Sequence, residues 1–168
     1  KSLDAQQVID VNRLIRECET HDRASANIQM DHGLNADKEM DSWCLSYRDA
    51  ELVGVASVFA PSREEAEISL CVKPSARRTG LGMAMLTATT AHLRSRGVST
   101  LLLVCDRRSE SGRRMAERTC RDVQHTEYSM KLTPGFVGLP DNRLTLRETN
   151  LSDLPEICAI CRSAYGAD

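Results

Sequence analysis

The spacing of apolar residues changes several times along the chain, and each change predicts an element. From Ser2 to Asp22, Val8, Val11, Leu14, Ile15 and Cys18 recur every three or four positions, the signature of an amphipathic helix. Asp4 and Gln7 stand three apart at its start, as a capping box requires. Residues 21 to 41 are polar and mixed, which predicts a loop with a short helix over Asn35 to Met40. Alternation then predicts strands over Ser42 to Arg48 and Leu52 to Ala60, joined as a hairpin at Asp49-Ala50, with Pro61 ending the second. Glu64 to Val72 is a third strand. Glu67, Ser69 and Cys71 face one way on it, and Ile68, Leu70 and Val72 the other.

Beyond residue 80 the periods lengthen and shorten again. Leu81 to Arg96 predicts a helix closed by Gly97. Thr100 to Cys105 is apolar on both faces, as expected of a central buried strand. Ser109 to Arg118 predicts a shorter helix capped by Ser109, and Gln124 to Leu132 another alternating strand. Pro134 to Pro140 reads as a linker and Arg143 to Glu148 as a strand. Asn150 and Asp153 then cap a helix with Leu151, Leu154, Ile157 and Cys161 on one face. The order up to Leu132 is αβββαβαβ. This is an α/β (α+β) chain with an antiparallel first half, whose crossover at residues 73 to 97 implies a parallel strand pair.

Composition narrows the class. The 168 residues suffice for one domain and little more, and 41% hydrophobic with 27% charged residues is ordinary for a soluble globular protein. No apolar run is long enough to span a bilayer, so no membrane role is expected. Seven scattered cysteines do not form a disulfide framework; most lie in apolar runs, and a reducing cytoplasm is expected. Cys158 and Cys161 form a CxxC without a second pair and are expected to pack in a core. The histidines form no ligand spacing, so no metal site is expected. Net charge is −2, yet residues 73 to 121 hold eleven Lys/Arg against three Asp/Glu, a local net of +8. Such segregation steers an anionic ligand or is a solvated basic surface, and charge alone leaves both open. Nothing points to nucleic acid.

The basic half starts at VKPSARRTGLGMAML, residues 72 to 86. A strand ends at a proline, two arginines and two glycines follow, and a helix begins. Helix N-termini present unpaired N–H groups and partial positive charge, and glycine lets an anion approach them. The turn therefore reads as a pyrophosphate cradle, against the alternative of glycines serving only the turn's backbone geometry. A P-loop needs Gly-Lys-Ser/Thr, which is missing, and a dinucleotide fingerprint needs a small residue where Met85 stands.

Arg77-Arg78-Thr79-Gly80-Leu81-Gly82 instead resembles the Arg/Gln-x-x-Gly-x-Gly/Ala motif of GNAT-type N-acetyltransferases. AEISLCVKP before it is similar to that family's central strand, and the element order matches over about residues 1 to 132. The resemblance implies a GNAT-like, mostly antiparallel mixed sheet with a splayed parallel strand pair and flanking helices. It implies acetyl-CoA as co-substrate, its pyrophosphate held by backbone amides of Arg77, Arg78, Thr79, Gly80, Leu81, Gly82 and Met83. The pantetheine would pair with Leu70, Cys71 and Val72, and with Ser109 or Ser111 where the family has an Asn.

Acetyl transfer to an amine needs a base, a donor to the thioester oxygen and, optionally, an acid for the leaving thiolate. Glu67 is the base candidate, by analogy with a Glu the family often places on this strand. A surface strand carboxylate is the plain alternative. The backbone N–H near Leu70 or Cys71 suits the oxygen. The family's usual Tyr acid falls at Ala116 here, and its closing Gly-Phe becomes Cys120-Arg121; Tyr128 is the substitute acid.

The expected acceptor is an amine of a small molecule or peptide. Two rival expectations are a non-catalytic acyl-CoA-binding module and a structural or dimerising domain without CoA. Residues 143 to 168 resemble the opening strand and helix of a second GNAT-like domain, after a linker at 134 to 142. Lys1-Ser2-Leu3 resembles the end of a truncated first strand. The expectation is a fragment of a tandem two-domain member with a first domain at 1 to 133. Residues 143 to 148 are candidates for strand exchange or homodimer formation at a sheet edge.

Overall fold

A computed structural model of the chain describes residues 2–120, 122–128, 130, 132, 135, 143 and 145–165. They fall into two compact units, Lys1–His125 and Thr126–Asp168.

The first unit opens with helix α1, Ala5–Asp22. Its capping box forms as expected: the Asp4 carboxylate accepts from Gln7 N at 2.8 Å, and Asp4 N donates to Gln7 Oε1 at 3.0 Å. Val11, Leu14 and Cys18 make its buried stripe. The helix stops where Arg23 turns left-handed, at φ 52°.

The expected helix over Asn35 to Met40 does not form; turns take its place. The reason is Asn35, which is fully buried. Its amide donates to Ser42 Oγ (3.0 Å) and Val58 O (3.2 Å), and its carbonyl accepts from Ala60 N (2.8 Å). That side chain fastens the loop to the sheet, and a helix through these positions would break its bonds.

Strands β1 (Trp43–Arg48) and β2 (Glu51–Phe59) form the expected hairpin. Asp49 and Ala50 both take positive φ (48° and 64°), the backbone of a two-residue turn that matches strand twist. A bulge at Ser46/Tyr47 leaves Val53 unpaired. Val53 therefore joins the cluster of Ala56, Val72, Ala76 and Met85, whereas its neighbour Leu52 packs with α1.

Strand β3, Glu65–Val72, is antiparallel to β2. After a single 3-10 turn at Pro74–Ala76, helix α2 (Leu81–Ser95) crosses over to β4 (Thr100–Val104), which is parallel to β3. The sheet order is β1-β2-β3-β4. The two helices cover opposite faces: Val55 and Cys71 pack with α1, while Val58 and Ile68 pack with Leu93 of α2. Helix α3, Glu110–Thr119, follows with Ser109 as N-cap.

Strand β4 is not central. It lies at the edge of the described sheet, its apolar residues only half-buried, and among the described residues of 124–132 no strand is formed: residues 122–128 are irregular. Residues 129 and 131 lie outside the described set.

In the second unit, Leu151–Asp153 forms a 3-10 turn capped by Asn150, and Leu154–Tyr165 is helix α4. The strand expected at 143 to 148 is absent among described residues. Residues 145–150 are irregular, and Arg147 grips Asp153 in a fork of 2.7 and 2.6 Å. Cys158 and Cys161 are exposed, not in a core. Among the described residues no helix is long and apolar enough to cross a membrane.

Candidate functional site

The site is built where β3 outruns β4. The parallel ladder runs from Glu65 opposite Thr100 to Ser69 opposite Val104 and then ends. Leu70, Cys71 and Val72 continue without a β4 partner. The parallel pair is thus open on one side over those three residues, next to the start of α2.

The turn between them is shaped by its backbone. Ala76 N donates to Lys73 O (2.8 Å), and Thr79 Oγ1 donates to Ala76 O (2.9 Å). Arg78 takes φ 64° and Gly80 φ 87°. Gly80 occupies the N-cap of α2, so no side chain caps that helix. The first helical bond is Ala84 N to Gly80 O at 3.0 Å. From Arg78 to Met83 no backbone N–H has an acceptor among the described residues. Six successive donors, a helix dipole and the exposed Arg78 are the chemistry of an anion site.

Gly82 shows how closely the neighbours approach. A Cβ there would meet Met115 Cε at 3.4 Å, Val72 Cγ2 at 3.7 Å and Leu70 Cδ2 at 3.8 Å. The first turn of α2 therefore touches both the open end of β3 and helix α3, with apolar side chains between.

Arg77 is placed differently from Arg78. Its guanidinium makes a fork with Asp22, Nη1 at 2.7 Å and Nη2 at 3.0 Å, while Nε donates to Val72 O at 2.9 Å. Burial of Asp22 opposes its ionisation, but the bonds from Arg77 and His21 outweigh this and hold the carboxyl below the usual range. Asp22 also receives Ser109 Oγ at 3.5 Å. It thus joins the end of α1, the glycine turn and the start of α3. No local signal announced the ties of Asp22 to the turn and to α3, because Arg77 and Ser109 are 55 and 87 positions away.

Ser109 uses its hydroxyl to accept from Gly112 N at 3.2 Å, and Ser111 is exposed beside it. Glu67 lies on the α1 face, half-buried, between Phe59 of β2 and Leu102 of β4, two residues before the last pair of the parallel ladder. Cys71 is buried next to Cys18, whose thiol donates to Val72 O at 3.4 Å. The contact with Cys18 and burial push the Cys71 thiol far up, so it supplies no thiolate at neutral pH. Tyr128 is 77% exposed on the irregular segment of the second unit. Among the described residues no cluster of His, Cys, Asp or Glu can hold a metal ion.

A mixed sheet with a parallel pair opening over an uncapped glycine turn is the fold of the GNAT N-acetyltransferases. The chain belongs to the acetyltransferase (GNAT) family, whose family model matches residues 8–120. Solved structures share the fold at low identity. The PaiA N-acetyltransferase from Thermoplasma acidophilum in complex with coenzyme A is 15% identical with a TM-score of 0.61, over 76% of this chain and 91% of that one. An aminoglycoside acetyltransferase from an uncultured soil metagenomic sample, in complex with trehalose, is 18% identical with a TM-score of 0.52, over 78% and 95%. The ribosomal-protein-S18-alanine N-acetyltransferase from Escherichia coli is 18% identical with a TM-score of 0.51, over 71% and 74%. No curated protein matches the chain by sequence.

Proposed function

We propose that the chain binds acetyl-CoA at the turn from Arg77 to Met83 and transfers its acetyl group to a primary amine of a small molecule or peptide. The observation that carries this reading is the run of unpartnered amides from Arg78 to Met83 beside the open end of β3. The amides and the Arg78 guanidinium hold the pyrophosphate. Arg77 serves mainly by tying the turn to α1, since its fork is already occupied by Asp22. The edge from Leu70 to Val72, which has no β4 partner, offers backbone groups to the pantetheine arm, as in other members of the family, although Val72 O is already taken by Arg77 Nε and Cys18 Sγ. Ser111, exposed at the first turn of α3, is the freer of the two serines to reach it.

Glu67 takes the proton of the incoming ammonium, directly or through water. The amine nitrogen then forms the new bond to the acetyl carbon, a backbone N–H near Leu70 or Cys71 stabilises the oxygen, and the thiolate leaves. Seven free cysteines suit a reducing compartment, the cytoplasm.

The second reading is a non-catalytic acyl-CoA-binding module. Ala116 favours it, since no tyrosine stands at the family's acid position. Calorimetry with CoA and thiol release with a panel of amines separate the readings. CoA binding with Glu67-dependent turnover supports the enzyme, CoA binding without turnover the module, and no CoA binding a structural domain.

A further inference from the structure

The end of α1 crosses the open side of the parallel strand pair. Asp22, its last residue, takes the Arg77 fork, and Arg77 Nε is itself bonded to Val72 O at the end of β3. The same carboxylate accepts from Ser109 Oγ, at the start of α3, at 3.5 Å. Further along, Ser25 N donates to Asp106 Oδ2 at 2.9 Å, just beyond the end of β4 at Val104. Residues 22 to 25 therefore form a crossbar, tied to the end of β3 at Asp22 and to the end of β4 at Ser25. The crossbar has a fixed shape. Arg23 takes φ 52°, Ala24 is buried, and Ala26 N donates back to Glu19 Oε1 of α1 at 3.1 Å.

The fastening at Asp106 is firm. Arg108 N, Nε and Nη2 donate to its carboxylate at 2.8, 3.1 and 2.7 Å. The Arg108 guanidinium above all, with the backbone amides of Arg108 and Ser25, outweighs burial and holds the Asp106 carboxyl well below the usual carboxylate range. Ser25 N thus donates to an ionised acceptor, the stronger kind of hydrogen bond. We propose that Asp106 is a positioning residue for CoA: through Ser25 it fixes the crossbar, and the crossbar holds the ends of β3 and β4 at the separation the pantetheine arm requires. This role rests on the acetyl-CoA reading above, in which the arm lies along Leu70 to Val72, at the strand end the crossbar ties. Without the clip the crossbar is secured on the β3 side alone. The correct separation is then populated for a smaller fraction of the time, and apparent affinity falls by that fraction. Charge alone predicts the opposite. Deleting Asp106 removes an anion at the opening and frees Arg108, which strengthens attraction for a polyanion.

The test titrates CoA into the full chain by calorimetry, for wild type and Asp106→Ala, beside thermal melts and residue-resolved amide exchange by NMR. Asp106→Ala is expected to bind CoA about tenfold more weakly. Its Ser25 amide should exchange about tenfold faster or more, with a melting temperature close to that of wild type. A merely structural role would lower the melting temperature and leave CoA affinity unchanged. In wild type, saturating CoA is expected to slow exchange at Ser25, since a ligand that requires the clip must also stabilise it. Equal or tighter CoA binding by a folded Asp106→Ala, or wild-type Ser25 exchange that CoA leaves unaltered, overturns the proposal. A variant that fails to fold leaves the decision to the wild-type exchange. Failure of wild type to bind CoA at all overturns the acetyl-CoA reading itself, and the crossbar role with it.

Discussion

Arg77 and Asp22 form a two-bond fork, 2.7 and 3.0 Å, between the glycine turn and the last residue of α1. Both side chains are less than a fifth exposed. The first arginine of the motif therefore acts as a structural tie, and the second, Arg78, faces solvent.

Asp22→Asn should destabilise the first unit by about 2 kcal/mol at neutral pH, since it leaves a largely buried guanidinium short of its counter-charge. The folded pKa of Asp22 is depressed, so its contribution is complete above the ordinary carboxylate value near 4 and fades as pH falls through the lower folded value. Urea melts of wild type and variant should differ most at neutral pH and converge in strong acid. A difference independent of pH would refute the ion-pair account.

Arg78→Glu should weaken CoA binding about tenfold or more while leaving the melting temperature nearly unchanged, because Arg78 makes no ion pair among the described residues. Calorimetry at two salt concentrations checks it, and the wild-type affinity should fall with salt. An equal affinity for both proteins would remove Arg78 from the site.

Gly80→Ala tests the backbone. No atom lies within 4 Å of an added Cβ, so space is no obstacle, but φ of 87° is strained for alanine. A loss of about 1 kcal/mol in stability is expected, with weaker CoA binding as the turn relaxes. A thermal melt combined with a CoA titration measures both.

Glu67→Gln should lower turnover with an amine about a hundredfold or more and leave CoA affinity unchanged. Thiol release under saturating CoA thioester reads the first quantity and calorimetry the second. Unchanged turnover would remove Glu67 as the base.

Thiol labelling should divide the cysteines by burial. Cys105, Cys120, Cys158 and Cys161 are exposed and should react within the native protein. Cys18 and Cys71 are buried and should react only on unfolding. Rapid native labelling of Cys71 would contradict its place in the core.

Much of the fold was legible because its signals are local. The Asp4–Gln7 box, the Asp49-Ala50 hairpin, the end of α2 at Gly97 and the Ser109 cap each involve residues a few positions apart. Alternation misled at Gln124 to Leu132, where Tyr128, Met130 and Leu132 are each more than three-quarters exposed. A strand needs a partner ladder as well as a pattern, and the pattern does not supply one.

By itself the sequence determined helices α1 to α4, the hairpin, the parallel crossover and the glycine turn at the start of α2, since periodicity, caps and glycine conformations act within a few residues. Only the tertiary structure decided that Arg77 is held by Asp22, that Asn35 replaces a helix with a staple, and that Ser25 is clipped to Asp106. Those outcomes depend on which distant groups meet once the sheet is assembled. Hydrogen-bond partners dozens of positions apart leave no mark in the local pattern of residues.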